Sequence, residues 1–425
     1  MPPKSNHQEK AGPLQKFKRF LGILGPGVVT GASDDDPSGI ATYSQAGAVF
    51  GLATLWTALI TFPLMAAIQG MCARIGLVTK QGLTTTLKKH YPRYILYSVM
   101  LFSFPAIVLN IGADIQAMGA VANMLLPQVP VFAFSLLFSC ILIYVIIKFP
   151  YKKISKILKW LCLALLLYLI IPFLVKQDWG EVLKATVIPH IEFNEEFILI
   201  LVAILGTTIS PYLFFWQTTM EAEDMAHKNV MIDGRILKDM KEDVNTGMLF
   251  SNLVMYFIIL ATGAVLHSKG ITKIETVEQA AKALEPLAGK LAYFFFAIGV
   301  IGTGFLAIPV LAGSLSYQLS ETFGWRSGLD KKFLQAKGFY IVAAISIMLG
   351  LTLTFAGVSP VQSLLYTAIL YGVTSPVLIA VVLHISNNKK IMKEYTNKVH
   401  SNILGGITLV LMTAAALALL WFQFF

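Results

Sequence analysis

A chain of 425 residues that is 56% hydrophobic and only 13% charged carries more apolar surface than a water-soluble fold can cover, which excludes an ordinary soluble enzyme or signalling domain. Its formal net charge of +10 is divided among short clusters between apolar segments, so it marks membrane topology and not a stripe for nucleic acid. The three cysteines, Cys72, Cys140 and Cys162, lie inside apolar segments without metal-ligand spacing and are expected to be small buried hydrophobes.

At about 20 residues per crossing, the chain predicts helices near 20–49, 51–75, 94–124, 131–149, 159–175, 195–220, 244–267, 289–321, 338–356, 360–384 and 403–424. Residues 1–19 are polar and basic, with Lys4, Lys10, Lys16, Lys18 and Arg19, and lack a signal-peptide cleavage pattern; they read as a cytoplasmic tail. No connection is long enough or rich enough in Ser and Gly to link domains, so 20–424 reads as a single membrane domain. Lys and Arg concentrate in alternate connections, among them Lys80, Lys88, Lys152, Lys238, Lys331 and Lys389, which predicts a cell-membrane protein with its amino terminus cytoplasmic and its carboxyl terminus outside. The stretch Glu275–Lys290 places Val277, Ala280, Ala281, Ala283 and Leu284 at helical spacing, as an amphipathic helix on the outer surface or a plain loop.

Two spans are interrupted. In the first, Asp34-Asp35-Asp36-Pro37-Ser38-Gly39 divides an apolar run, and in the sixth Thr207-Thr208-Ile209-Ser210-Pro211-Tyr212 does the same. A carboxylate at mid-membrane costs roughly 2.5 to 3.5 kcal/mol to insert and is by default functional. Proline removes a backbone donor and glycine accepts unusual angles, so both segments are expected to unwind, and irregular backbone at membrane depth belongs where it lines a cavity. Carbonyls beside a carboxylate make hard oxygen ligands for a cation. Breaks five spans apart suggest an inverted repeat of about 20–175 and 195–384, with 403–424 outside it.

Gly25-Pro26-Gly27, then Asp36-Pro37-Ser38-Gly39-Ile40-Ala41-Thr42, then Thr208-Ile209-Ser210-Pro211-Tyr212 together resemble the Nramp family of divalent-metal transporters, whose members carry Asp-Pro-Gly-Asn in the first helix and Met-Pro-His in the sixth. The resemblance implies an all-α integral membrane fold of about eleven transmembrane helices, a LeuT-like inverted 5+5 repeat with helices one and six broken. It implies a divalent cation between them, with Asp36 as acidic ligand and the carbonyls of Ser33 and Thr207 as oxygen ligands. The family's asparagine falls on Gly39 and its methionine on Ser210, so the site has lost an amide and a thioether. That hardens it toward magnesium or manganese and is expected to enlarge it enough for a partly hydrated ion, as in the family's magnesium-transporting relatives.

Asp35 joins Asp36, Ser33, Thr207, Ser210 and Gly39 as a candidate metal contact. Asp34, Tyr212, Trp216, Asp114, Gln116 and Thr374 are candidates for the pathway or its gates, and Asn110 and Gln362 are weaker ones. The family's sixth-helix histidines fall on Tyr212 and Trp216, and its acidic pair in the third helix on Ala113 and Gln116, with Asp114 offset by one residue. Tight proton coupling is therefore not expected.

The sequence predicts a secondary transporter for a divalent cation, acting as a monomer in the lipid bilayer. It implies no resident cofactor and no enzymatic activity, since the Gly-rich stretches lie within membrane spans. An ion-coupled symporter of a small organic cation or amino acid on the same fold, or a metal sensor without turnover, remain alternatives.

Overall fold

The computed structural model describes residues 25–150, 165–228 and 232–424. The expected tail 1–19 and Cys162 lie outside the described residues. The regular structure of the described residues is helical: α1 Pro26–Asp34, α2 Pro37–Phe50, α3 Trp56–Thr79, α4 Leu83–His90, α5 Arg93–Leu125, α6 Val131–Lys148, α7 Leu167–Leu174, α8 Trp179–Val187, α9 Glu195–Thr208, α10 Pro211–Lys228, α11 Gly234–Val265, α12 Ala292–Phe323, α13 Lys337–Leu351, α14 Pro360–Asn387 and α15 Val399–Phe424. Among the described residues nine helices, counting α9 with α10 as one, are long and apolar enough to cross a membrane. The half-helices α1 and α2 together make a further crossing. The expected fifth span is described only from residue 165.

Local chemistry sets the boundaries. Asn194, Asp233 and Ser359 cap α9, α11 and α14 by accepting backbone N–H groups with their side chains, the bonds that orphan amides at a helix start need. α11 begins about ten residues earlier than its apolar run suggests, because Asp233 starts a polar first turn that the hydropathy of the span does not reveal. α4 and α8 are short amphipathic helices missing from the expected set.

Burial sorts the helices into centre and rim. The most apolar window of the α9–α10 span is 89% buried, against 22% for α6 and 28% for α15. Val410, Leu417 and Trp421 are exposed on α15, as a lipid-facing helix requires. Cys140 is also exposed on α6, so of the two described cysteines only Cys72 is a core residue. In the segment 277–284, Val277, Ala280, Ala281, Ala283 and Leu284 are buried in the same apolar cluster as residues of α2, α5 and α11, so this amphipathic stretch turns its apolar side to the bundle.

Candidate functional site

The two breaks share one construction. α1 stops at Asp34 and α2 starts at Pro37; α9 stops at Thr208 and α10 starts at Pro211. Proline suits a first helical position, where its missing N–H would have no partner anyway. The residues that close the first halves, Asp35 (φ −81°, ψ 52°) and Ile209 (φ −112°, ψ 57°), have similar backbones. Each break is therefore two residues long, Asp35-Asp36 and Ile209-Ser210, shorter than the stretches expected to unwind. Ser38 and Gly39 belong to the first turn of α2 because Asp36 caps it, its Oδ1 accepting the Gly39 N–H at 2.8 Å.

Asp36 is tied in three directions. Its Oδ2 accepts Asn110 Nδ2 from α5 at 2.9 Å, and Asn110 Oδ1 lies 3.1 Å from the Thr367 hydroxyl of α14. Ser38 donates to the Leu364 carbonyl at 2.9 Å and approaches Thr367 at 3.3 Å. Asp34, Asp35, Asp36 and Asp114 are all at most 2% exposed, and among the described residues none of them forms an ion pair. Uncompensated buried carboxylates are costly, and in a membrane bundle they mark a path for positive charge.

Asp34 and Asp35 turn elsewhere. The Ser251 hydroxyl of α11 donates to Asp34 Oδ2 at 2.7 Å and lies 3.3 Å from Asp35 Oδ1. Asp35, expected among the metal contacts, thus faces α11 and not the groups around Asp36.

The expected carbonyl ligands are occupied. The Tyr212 hydroxyl donates to the Ser33 carbonyl at 3.0 Å. Ser210 Oγ lies 2.5 Å from the Thr207 carbonyl and 3.2 Å from that of Gly206, so this side chain bonds back to its own half-helix. A Cβ on Gly39 would lie 3.3 Å from the Asp34 carbonyl and from the Tyr43 ring, and 3.5 Å from Thr207 Oγ1. The same contacts bring the two breaks face to face.

Of the other candidates, Trp216 is fully buried in the apolar cluster between α5, α10 and α12. Gln116 donates to the Val358 carbonyl at 2.8 Å. Thr374 bonds to the Leu370 carbonyl of its own helix, while its neighbour Ser375 reaches the break and donates to the Ile209 carbonyl at 3.1 Å. Gln362 is exposed near the start of α14. Among the described residues no three His, Cys, Asp or Glu side chains converge as a metal-binding group. A cation beside Asp36 would therefore rely on neutral oxygens from carbonyl, hydroxyl, amide and water.

Sequence reasoning missed Ser251 and Thr367, lone hydroxyls within apolar spans, and Asp243. The Asp243 carboxylate accepts the N–H groups of Gly25 (2.8 Å), Gly27 (2.7 Å) and Val28 (3.2 Å), clasping the start of α1 from α11. Beside it, the Thr30 hydroxyl lies 2.5 Å from Gln217 Oε1, and Gln217 donates to Glu221 at 3.0 Å. No capping side chain precedes α1 locally, where Gly25 stands at the N-cap, because the acceptor lies more than two hundred residues away in sequence.

Comparison with known proteins adds three findings. A family model described as natural resistance-associated macrophage protein-like, or Nramp, matches residues 27–422. Among curated relatives, the divalent metal cation transporter MntH of Caldanaerobacter subterraneus subsp. tengcongensis is 25% identical over 396 residues, 92% of this chain and 90% of that protein. MntH of Klebsiella pneumoniae subsp. pneumoniae is 24% identical over 406 residues, 92% of each. Among solved structures, the Eremococcus coleocola manganese transporter in complex with an aromatic bis-isothiourea substituted compound matches with a TM-score of 0.73 at 17% identity, covering 98% of this chain and 88% of that one. MhsT in complex with L-phenylalanine matches with a TM-score of 0.61 at 13% identity, covering 94% and 98%. These likenesses establish the LeuT-like fold, in which broken helices one and six face each other.

Proposed function

Because the chain belongs to the Nramp family, we propose that it is a secondary transporter that moves a divalent metal cation across the membrane by alternating access, with Asp36 as its acidic ligand. The observation that carries this reading is the placement of Asp36: a buried carboxylate, bonded by the uncharged Gly39 and Ser38 amides and the Asn110 side chain, where two broken helices meet. Rotation about the Tyr212 and Ser210 hydroxyl bonds would release the Ser33 and Thr207 carbonyls to a cation. The ligand set is then carboxylate, carbonyl, hydroxyl and water, which favours magnesium or manganese over softer metals.

Tyr212 and Trp216 stand where the family places histidines, so transport is proposed to run without tight proton coupling. The described histidines support this: His90, His190, His227, His267, His384 and His400 lie in connections or toward helix ends. The proposed arrangement is a monomer with a cytoplasmic amino terminus. Uptake of Mg²⁺ and Mn²⁺ into proteoliposomes, compared between the native chain and Asp36→Ala, tests the proposal. Flux of either ion that Asp36→Ala abolishes supports it; equal flux in both proteins, or none in the native chain, sinks it.

A further inference from the structure

The spans α12 and α13 leave the bilayer at one corner, joined by the connection 324–336. Gly324 closes α12 in the left-handed region (φ 75°), and its N–H and that of Trp325 both donate to the Ser320 carbonyl. This turn sets the Trp325 ring against the first turn of α13. A Cβ on Gly338 would lie 2.8 Å from that ring, and the Phe323 ring stacks with it at a centroid distance of 5.2 Å.

Beside this contact opens a cavity of about 370 Å³, lined among others by Trp325, Arg326, Leu334, Gln335 and Lys337. Its side-chain polar groups are donors. Arg326 and Lys337 are exposed, and neither forms an ion pair among the described residues. The Gln335 side-chain oxygen accepts the Lys332 N–H at 3.1 Å, which leaves the amide nitrogen to donate outward. No acidic residue lines the cavity. Glu223, which approaches the same connection at Gly328, accepts the Tyr317 hydroxyl at 2.8 Å, and Asp330 is likewise outside the lining.

The apolar side chains at this corner are open: Leu334 is 75% exposed, Phe323 58% and Trp325 47%. Cations and exposed aromatic rings together, where two spans reach the headgroup level, match a ligand with an anionic head and an acyl tail. A small soluble anion would use the cations and leave the apolar wall bare.

We propose that this cavity binds the headgroup of an anionic phospholipid. Arg326 and Lys337 pair with its phosphate, for which the guanidinium fork is shaped. The Gln335 amide donates to the headgroup, and Phe323, Trp325 and Leu334 cover the start of the acyl chains. In the orientation proposed above, the lipid belongs to the cytoplasmic leaflet. A headgroup held there braces α13, whose backbone meets α5 closely at Gly350 and Gly112. None of these residues belongs to the site between the broken helices, so the inference stands apart from the reading of Asp36.

The test uses the purified full chain in detergent micelles with added phosphatidylglycerol or phosphatidylcholine, each with brominated acyl chains that quench tryptophan fluorescence. The share of quenching lost in Trp325→Phe reports this cavity. In the native chain that share should saturate at a severalfold lower mole fraction of phosphatidylglycerol than of phosphatidylcholine. Arg326→Ala and Lys337→Ala should each weaken the phosphatidylglycerol response about fivefold. Lys331→Ala and Lys332→Ala, exposed cations of the same connection outside the lining, should leave it unchanged. No Trp325-dependent quenching, an equal response to the two lipids, or an equal loss in the Lys331 and Lys332 variants overturns the inference. Displacement of the lipid by soluble glycerol phosphate at the same concentration overturns it too, by assigning the cavity to a soluble phosphate.

Discussion

The hydroxyl of Tyr212 in α10 donates to the carbonyl of Ser33 in α1, across the gap between the two broken helices, at 3.0 Å. This bond fills a carbonyl proposed as a cation ligand with a proton from the residue that stands at a family histidine position. The cation and the hydroxyl compete for one oxygen.

Tyr212→Phe removes that competitor while keeping the ring in its tilted contact with Tyr371, whose centroid is 5.8 Å away. The metal-free protein should lose about 1 kcal/mol of stability with the buried hydrogen bond, and Mn²⁺ affinity should rise about fivefold. A binding isotherm and a thermal melt on the same preparation check both signs, and weakened binding would count against the role given to Ser33.

Asn110→Ala removes the side-chain donor to Asp36 Oδ2 and one of the partners of Thr367, which keeps Leu364 and Ser38. Because Asn110 orients the carboxylate, the expected effect is a rise in the KM for uptake of about tenfold, with transport retained. Radiotracer kinetics in proteoliposomes distinguish this from the complete loss expected of Asp36→Ala.

Ser210→Met restores a thioether beside the break. Ser210 bonds only to its own half-helix, so no bond between helices is lost, although at this buried position the larger side chain must displace its neighbours; the preference for Cd²⁺ over Mg²⁺ should increase because soft sulfur favours softer metals. Competition between the two ions in one uptake assay reads this directly. Gly39→Asn should behave differently: its Cβ would press on the Asp34 carbonyl and the Tyr43 ring, so a lower melting temperature is expected before any gain in affinity.

Asp243→Ala strips three amides at the start of α1 of their acceptor. Losing a charged cap of this kind costs about 2 kcal/mol. Hydrogen exchange should quicken at Gly25, Gly27 and Val28, and unchanged protection there would show that the clasp is dispensable.

The existence of both breaks was legible, because proline after Asp36 and after Ser210 stops an apolar run in two matching places. Their extent was legible too, though it was misjudged: Asp36-Pro37 is a capping residue followed by a first-turn proline, which restarts a helix at once and keeps Gly39 inside it. The amphipathic spacing of 277–284 was equally plain, but spacing reports that a face is apolar and not what covers it. Ser251, Thr367 and Asp243 could not be found by pattern. Each is an ordinary polar residue whose meaning depends on contacts spanning 215 to 329 positions of sequence.

The close seam between α1 and α11 constrains how the protein can work. A Cβ on Gly31 would collide with the Gly247 backbone, and Asp243 holds the same two helices together at one end. α1 therefore cannot tilt alone; it carries α11 with it or breaks the clasp. The joint left to such a paired lever is Asp35-Asp36, and Asp36 on its far side is the carboxylate proposed to grip the ion. Each swing of the lever would reshape that grip, so hinge and ligand would be the same residue.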